Sequence, residues 1–317
     1  MAKKWRKRYV VAKIEDAYGG DVTDMTGATI LEVVMLDGGN PYAGNTVSRE
    51  RMRDGYGAFE QVNTGPYVER QVRVPLAGSG TAGTPPDYGM LLRACGMSEV
   101  TNPTSVVYQP ASDSEDSVIL WWVEDGQTQR IRGTRGTLSI STDAGSLPYI
   151  QFNLTGLYEK TAAGADASLA TQAVQAKELP VNKQNTVANI DGHAACMSSL
   201  SLDLGNQVGH RNLINCESVP ITDRQVTGST NIEAPDIATV DYFKKVESHN
   251  GVTLVPIALT HKDAAGADIT IGTQRGQLTS ISPTDNEGFM HYDLGISFVP
   301  SENGSDDDFT LTFEQVD

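Results

Sequence analysis

The sequence predicts a mainly β protein made of two tandem, related β-barrel or sandwich domains, each with one flanking α-helix. Apolar residues occur in short runs that alternate with polar residues, and turn residues interrupt these runs at intervals of roughly ten positions. Short motifs of the first half also return in the second half. Because alternation sends successive side chains to opposite faces of a strand, we expect antiparallel sheets with one buried and one wet face.

Strands are predicted in the first half wherever an alternating run is bounded by turn residues. These runs cover residues 28–36, 68–76, 117–123, 127–132, 135–142 and 148–158. In the last run Ile150, Phe152 and Leu154 share one face, which marks the core side of the sheet. Trp121 and Trp122 are neighbours on a strand and point to opposite faces, so one should enter the core while the other faces a neighbour or solvent.

One helix is predicted in each half. The first follows Pro86-Asp87 and has an apolar stripe with helical spacing, formed by Tyr88, Leu91, Leu92 and Cys95. Gly96 is suited to end this helix. The second follows Pro235-Asp236 and has a looser stripe, formed by Ile237, Val240 and Phe243. A helix of this kind can cover an open sheet edge or close one end of a small barrel.

The second half repeats the strand pattern of the first. Its predicted strands cover residues 189–204, 221–234, 252–260, 277–283, 289–300 and 308–316. Residues 161–185 are rich in Ala, Gly, Thr and Gln and have little to bury, which is typical of a connector. We therefore predict a first domain over 1–160, a linker over 161–185 and a second domain over 186–317.

Repeated motifs indicate a tandem duplication. Arg135, Gly136 and Leu138 return 140 positions later as Arg275, Gly276 and Leu278. At the same spacing, 152–154 correspond to 292–294, and at a spacing of 154, 69–72 correspond to 223–226. A longer Gly/Pro loop in the first copy would account for the difference between the two spacings.

Composition excludes several classes of protein. The 317 residues carry 24 basic and 40 acidic side chains, a net charge of −16, which argues against general nucleic-acid binding because that needs clustered Lys and Arg. Three Cys do not provide a disulfide framework for a chain of this length. The sequence shows neither a signal-peptide pattern nor an apolar run long enough for a transmembrane helix, so we expect synthesis in the cytoplasm and no membrane partner.

Charge is distributed unevenly along the chain. Lys3, Lys4, Arg6, Lys7 and Arg8 form a basic cluster, whereas residues 161–317 hold 8 bases and 21 acids. A basic arm beside an acidic body favours head-to-tail contact between copies through charge complementarity. A disordered solubilising tail explains the cluster equally well.

A glycine motif follows a predicted strand and is similar to a dinucleotide-binding motif, but its context argues against such a site. Gly78, Gly80 and Gly83 form G-x-G-x-x-G, but Thr84-Pro85-Pro86 follow where a helix would have to begin. The neighbouring strands also alternate as half-wet antiparallel strands do. We predict a flexible loop and no cofactor.

Candidate metal ligands are equally weak. His193, Cys196 and Cys216 lack a paired C-x-x-C knuckle, so packing of the thiols is favoured over zinc. The consecutive carboxylates of 306–308 do not alternate as those of a calcium loop do, and a solvated turn is expected. We therefore predict no metal site.

No catalytic motif stands out, since the G-x-S-x-G, H-E-x-x-H and G-x-x-x-x-G-K-[ST] patterns do not occur. Two alternatives remain open: a two-domain β-rich enzyme with an acidic cleft, and a surface binding protein. The enzyme predicts a pocket with a convergent His or carboxylate pair, and the binding protein predicts export and paired aromatic platforms.

Several stretches resemble the major tail-tube proteins of long-tailed bacteriophages. The resemblance covers mainly the first half and is carried by 11–15, 18–23, 74–80, 91–96, 133–136 and 152–158. Two of these stretches are V-P-L-A-G-S-G over 74–80 and L-L-R-A-C-G over 91–96. The second half lacks both motifs and is similar mainly through its echo of the first.

The resemblance implies a virion protein without catalytic residues. Its tail-tube-type β-barrels would close into six-fold or pseudo-six-fold rings, stacked into a hollow tube that conducts DNA to the host. The expected partners are further copies of the chain, the tail terminator, the tape measure and the distal tail proteins. A non-contractile tail is favoured.

The resemblance also implies ring-to-ring contacts made by a long loop between early strands. Residues 37–65 are too long and polar for a hairpin and are the candidate. The candidate residues for these contacts are Arg49, Arg51, Arg53, Asp54, Lys3, Lys4 and Arg6.

The acidic balance then predicts a lumen in which many carboxylates face inward, because a basic wall would bind the passing duplex. If both halves are tube barrels, three chains close a pseudo-hexameric ring. If the second half decorates the outside, six chains are needed. The duplication favours three.

Overall fold

The computed structural model describes residues 3–34, 39–113, 116–164, 167–301 and 305–315. The predicted mainly β class is confirmed. In the first half the elements are β1 (Arg8–Ile14), β2 (Thr29–Ile30), β3 (Thr46–Ser48), β4 (Gln61–Asn63), β5 (Tyr67–Pro75), α1 (Gly89–Ala94), β6 (Met97–Thr101), β7 (Ser105–Pro110), β8 (Val118–Glu124), β9 (Gln127–Asp143) and β10 (Tyr149–Leu157).

The connecting region and the second half add the remaining elements. These are β11 (Ala162–Ala163), β12 (Thr171–Gln172), β13 (Thr186–Ile190), β14 (His193–Ala194), β15 (Met197–Asp203), β16 (Asn206–Val208), β17 (Arg211–Leu213), β18 (Cys216–Ser218), β19 (Ile221–Arg224), β20 (Thr227–Glu233), α2 (Tyr242–Val246), β21 (Leu254–Lys262), β22 (Ala267–Asn286), β23 (Phe289–Phe298) and β24 (Thr310–Gln315). None of the described helices is long and apolar enough to cross a membrane.

One antiparallel sheet runs through both halves. Its strands follow the order β5–β10–β9–β15–β20–β23–β22. The halves meet where β9 pairs with β15, from Ser199 opposite Asp143 to Asp203 opposite Ser139. A second junction pairs β24 with β7. The division into two domains therefore stays a prediction, since the halves share a sheet.

The two halves connect their strands in the same way. In the first half β1 pairs with β8, β8 with β9, β9 with β10 and β10 with β5. In the second half β13 pairs with β21, β21 with β22, β22 with β23 and β23 with β20. Each helix falls between the corresponding strands of its half. This shared connectivity supports the duplication inferred from the repeated motifs.

The strand register changes part of the residue correspondence that the sequence predicts between the two halves. Gly136 lies opposite Leu154, whereas Gly276 lies opposite Phe298. If Gly136 and Gly276 correspond, the counterpart of Leu154 is Phe298 and not Leu294. The β22–β23 hairpin remains paired to Asn286 and Phe289, whereas β9 and β10 are paired only as far as Ser141 and Tyr149. Strand pairing thus aligns β10 with β23 differently from the alignment that sequence similarity gives.

The core lies mainly between this sheet and the elements packed on it, and it includes residues of both halves. Trp122 belongs to that core, while Trp121 lies in a second, smaller cluster on the other side of β8. Their opposite orientation is confirmed, but both are buried, at 1% and 3% exposure. Met25 and Ala28 cover Trp121, which explains why neither ring faces solvent.

The two predicted helices agree with the structure to different extents. The first is confirmed as α1, with Leu91 and Leu92 fully buried. The second begins only at Tyr242, because the Asp241 side chain accepts a hydrogen bond from the Lys244 amide and caps it there. Ile237, predicted to share its apolar stripe, is exposed before the helix.

Several strand boundaries differ from expectation. The predicted strands at 127–132 and 135–142 form the single strand β9, which continues through the bend at Gly133. Of the predicted strand at 28–36, the described part forms a strand only at β2, and residues 35 and 36 lie outside the described residues. Strands β1, β6 and β7 were not predicted.

The connecting region packs against the body of the protein. Strand β11 pairs with β9, and β12 pairs with β2 in parallel. The Ala176 amide donates to the Gly78 carbonyl, and Val181 is buried. At these points, and where the Ala264 amide of the second half donates to the Lys177 carbonyl, residues 161–185 are held against the rest of the chain.

Candidate assembly surfaces

Part of the long stretch predicted to make ring contacts is a β-hairpin. Thr46 pairs with Asn63 and Ser48 with Gln61 in the antiparallel pair β3–β4. The prediction that 37–65 is too long and polar for a hairpin is therefore wrong, because the ladder needs only short polar strands and leaves 49–60 as its tip. Residues 37 and 38 lie outside the described residues.

The hairpin tip projects two apolar side chains into solvent. Arg49 pairs with Glu60 at 3.4 Å, and the Arg53 guanidinium lies 4.3 Å from the centre of the Phe59 ring. Met52 and Tyr56 are completely exposed. Among the predicted contact residues, Arg51 and Asp54 are also exposed. Sequence reasoning selected the charges of this tip and missed its apolar residues.

The second half has its own projection, the arm 205–225, which sequence reasoning missed. Strands β16 and β19 pair at its base, and β17 and β18 pair towards its tip. At the tip Ile214 is 92% exposed and Asn215 has a φ of 69°, a left-handed conformation that Asn tolerates in turns. The alternation around Ile-Asn was the available signal for this turn.

The arm 205–225 docks on the first half of the same chain. The Val219 amide donates to the Tyr18 hydroxyl at 2.6 Å, and Arg135 Nη1 donates to the Val219 carbonyl at 3.3 Å. Burial raises the pKa of Tyr18, although the Val219 amide and the Arg135 charge partly oppose this. Further out, His210 stacks on Tyr67 with ring centres 4.9 Å apart.

The N-terminal arm lies on its own chain. The Lys3 ammonium donates to the Asp125 carbonyl at 2.6 Å, and the Lys4 amide donates to the Asp125 carboxylate at 2.8 Å. Arg8 lies over the Trp5 ring at 3.7 Å. The side chains of Lys4 and Arg6 remain exposed, as does Trp5 at 72%. The arm is therefore attached to the chain and is not a free tail, and the exposed Lys4 and Arg6 side chains can contact another copy.

Two of the three consecutive carboxylates at 306–308 form an ion-pair site. Arg224 pairs with Asp306 and with Asp308, each at 3.0 Å, and Asp308 is buried. Burial raises the pKa of Asp306, but hydrogen bonds from Ser112 and the charge of Arg224 outweigh this and lower the pKa below its usual value. A solvated turn was expected, and that expectation is wrong for these two residues.

The glycine loop is held by the second half. The Gly78 amide donates to the Asp263 carboxylate at 3.0 Å. At Gly83, with a φ of 63°, an added Cβ would lie 2.5 Å from the Asn102 carbonyl oxygen. A flexible loop was predicted, but at these points it is hydrogen-bonded and tightly packed.

The candidate zinc ligands are arranged differently from a metal centre. His193 lies in β14, while Cys196 and Cys216 are exposed. Within the described ranges, no group of three His, Cys, Asp or Glu side chains is placed to hold a metal ion.

The wet face of the shared sheet is lined mainly by hydroxyl and amide side chains. One row of residues across neighbouring strands contains Ser141, Ser201, Ser229, Gly295 and Ser280. The hydroxyls of Ser201 and Ser229 hydrogen-bond at 2.8 Å. Such short side chains pair with one another across strands.

Charged groups are sparse on this face. Its strand positions carry the carboxylates of Glu69, Asp143, Asp203, Glu233 and Asp293. The basic positions on the same face are four arginines, at 73, 132, 135 and 275. Arg73 donates to the Gln151 side-chain oxygen, and Arg132 lies 3.6 Å from the Glu159 carboxylate. The face is therefore weakly acidic, and most of the forty acidic residues lie elsewhere.

Comparison with known families gives one finding. Residues 5–314 match a family model described as "Phage tail tube protein". A search for curated relatives gives no match. The matched region includes both halves and the connecting region, so the family extends beyond the first half, where the sequence resemblance was concentrated.

Proposed function

Because the chain belongs to the phage tail tube protein family, we propose that three copies close a pseudo-hexameric ring, and that such rings stack into the tube. Membership makes the chain a structural subunit of the phage tail that assembles with itself and with other tail proteins. The ring symmetry, the contacts and the lining of the tube are the parts that we propose.

The junction between β9 and β15 carries the proposal. There the first half extends its sheet directly into the second half through five residue pairs. If the halves are equivalent units, the same kind of junction between the second half of one chain and the first half of the next continues the sheet from chain to chain. This contact joins different surfaces of the two chains, so it is heterologous, and repeating it closes a ring when the rotation per chain is one third of a turn.

An open strand edge supports this arrangement. In β9, Ile140 is buried beside β15, at 2% exposure. The corresponding end of β22, after Leu278, pairs with β23 on one side and with no other strand among the described residues. Ser280 and Ser282 there are exposed. An unpaired edge of this kind favours addition of a strand from another chain.

The wet face of the shared sheet is the proposed lumen lining. It has no Lys on its strand rows and its carboxylates outnumber its arginines, so it offers few fixed cations to DNA phosphates. Its hydroxyls and amides hydrogen-bond weakly and reversibly with water and phosphate. We propose that DNA passes along it without specific binding, and that the lining is less acidic than the composition suggested.

Stacking contacts are assigned to the projections. The hairpin tip with Arg49, Arg51, Arg53 and Asp54 is one candidate, and the tip of the arm 205–225 is another. The basic arm with Lys3, Lys4 and Arg6 is a third, because the second half of a neighbouring copy is strongly acidic. The tail terminator, tape measure and distal tail proteins are the proposed partners at the tube ends.

Electron microscopy of the purified chain tests the proposal. We expect hollow tubes or stacked rings to form as the protein concentration rises, because every ring presents the same contact surfaces to the next. An enzyme or a surface binding protein would stay monomeric or dimeric. A chain that remains monomeric at millimolar concentration, with its hairpin intact, contradicts self-assembly.

A further inference from the structure

We propose that Gly39-Asn40 of one chain docks on Arg275-Gly276 and the C-terminal end of α2 in the next chain of the ring. The proposal rests on the ring described above and names the residues of its chain-to-chain contact. Its template lies within one chain, where Gly205-Asn206 docks on Arg135-Gly136 and the end of α1.

Gly39 and Gly205 occupy equivalent places in the two halves. Their φ angles are 63° and 65°. A Cβ added to Gly39 would lie 2.2 Å from the Glu69 carbonyl oxygen, and one added to Gly205 would lie 2.1 Å from that of Gln225. Each glycine thus lies at the start of a projection and is in close contact with the backbone at the end of the same projection. The sequence agrees, with L-D-G-G-N over 36–40 and L-D-L-G-N over 202–206.

Asn206 shows what this position does when it is docked. Its side-chain amide donates to the Cys95 carbonyl at 2.6 Å and to the Gly136 carbonyl at 3.0 Å. Its backbone amide donates to the Thr137 hydroxyl at 3.2 Å. Cys95 is the C-cap of α1, where carbonyl groups lack partners within the helix. Asn206 therefore fastens the second half to a helix end and a strand of the first.

Asn40 has the same chemistry and no such partner within its chain. Its side-chain oxygen accepts a hydrogen bond from the Tyr42 amide at 3.1 Å. Its side-chain NH₂ has no hydrogen-bond acceptor among the described residues, and the residue is exposed. The donor that Asn206 uses for docking is thus free in Asn40.

The receiving surface is also incomplete within one chain. Arg135, in the first half, donates from Nε to the Asp116 carbonyl and from Nη1 to the Val219 carbonyl of the docked arm. Arg275 is its counterpart by sequence, and its Nε is buried without a hydrogen-bond partner in the described parts of the chain. A buried donor without an acceptor is unfavourable. The hairpin of a neighbouring chain, docked as the arm 205–225 is, brings a backbone carbonyl to the Arg275 guanidinium and gives it an acceptor. In the template the docked Val219 carbonyl accepts from Nη1, and the Nε acceptor is Asp116 of the same half.

Cysteine cross-linking in assembled tubes tests this contact. Thr137, which touches Asn206, corresponds to Gln277 at the spacing of 140. We would combine Asn40→Cys with Gln277→Cys in a background that carries Cys196→Ser and Cys216→Ser. Asn206→Cys with Thr137→Cys is the matched control, because that pair closes within one chain. Under mild oxidation we expect the first pair to link separate chains into dimers and closed trimers.

The outcomes separate this contact from the proposed function. Tubes that form without cross-links between chains, while the control pair closes, overturn the docking and leave the tube subunit intact. Failure of the serine background itself to form tubes or rings would instead count against self-assembly. If the cysteine pair itself blocks assembly, Asn40→Ala tests the same contact. We expect Asn40→Ala to raise the protein concentration needed for tube formation about tenfold. Asn45→Ala, at another exposed Asn, is the control. Equal effects of the two alanine variants overturn the docking.

Discussion

Replacement of residues 49–60 by a Gly-Gly turn is expected to abolish tube formation while the single chain stays folded. Arg49 and Glu60 close the tip through a backbone hydrogen bond of 2.9 Å and an exposed ion pair, and such pairs contribute little to stability. Met52 and Tyr56 are completely exposed in the single chain. Exposure of these apolar side chains to water is unfavourable. An assembly that buries them is therefore stabilised, and we expect the tip to supply much of that stabilisation.

Sedimentation of the truncated chain, with electron microscopy of the pellet, measures this effect. We expect a monomer at concentrations at which the unmodified chain forms tubes, and an unchanged thermal unfolding midpoint. Met52→Leu combined with Tyr56→Phe preserves the apolar surface and should still assemble, whereas Met52→Ser with Tyr56→Ser should not. Normal tubes from the truncated chain would exclude the tip from ring stacking.

Asp263→Ala should cost about 3–5 kcal/mol of unfolding free energy, the largest stability loss expected from a single polar substitution here. The carboxylate is 2% exposed and accepts the amides of Gly78 at 3.0 Å, Ala265 at 2.9 Å and Ala267 at 3.0 Å. Its removal leaves three amide donors without their acceptor. The substitution also releases the glycine loop of the first half from the second half.

Urea unfolding of the unassembled chain gives this free energy. Asp285→Ala is the matched control, because Asp285 accepts one amide hydrogen bond, from Gly288 at 2.8 Å, in an exposed turn. We expect the control to lose less than about 1 kcal/mol. Equal losses in both variants would show that Asp263 does not tie the halves together.

Local patterns predicted the local structure well. The alternation in 148–158 specifies β10, since apolar side chains at every second position need a core on one side. The stripe at Tyr88, Leu91 and Leu92 similarly specifies α1. Period and turn chemistry are short-range properties, so they can be read directly from the chain.

Long-range pairing was out of reach of the same reasoning. The junction of β9 with β15 depends on hydrogen bonds between residues about sixty positions apart, and backbone groups carry no sequence signature. The ion pairs of Arg224 with Asp306 and Asp308 depend equally on the fold. The exposure of Met52 and Tyr56 was also hidden, because an apolar residue in a sequence gives no sign of whether it is covered.

The mass of one ring in the assembled tube tests the central claim most directly. Scanning transmission electron microscopy gives mass per length, and the axial repeat from the same tubes converts it to mass per ring. We predict the mass of three 34.0 kDa chains in each ring. A mass of six chains would contradict the account, because the second half would then not line the tube.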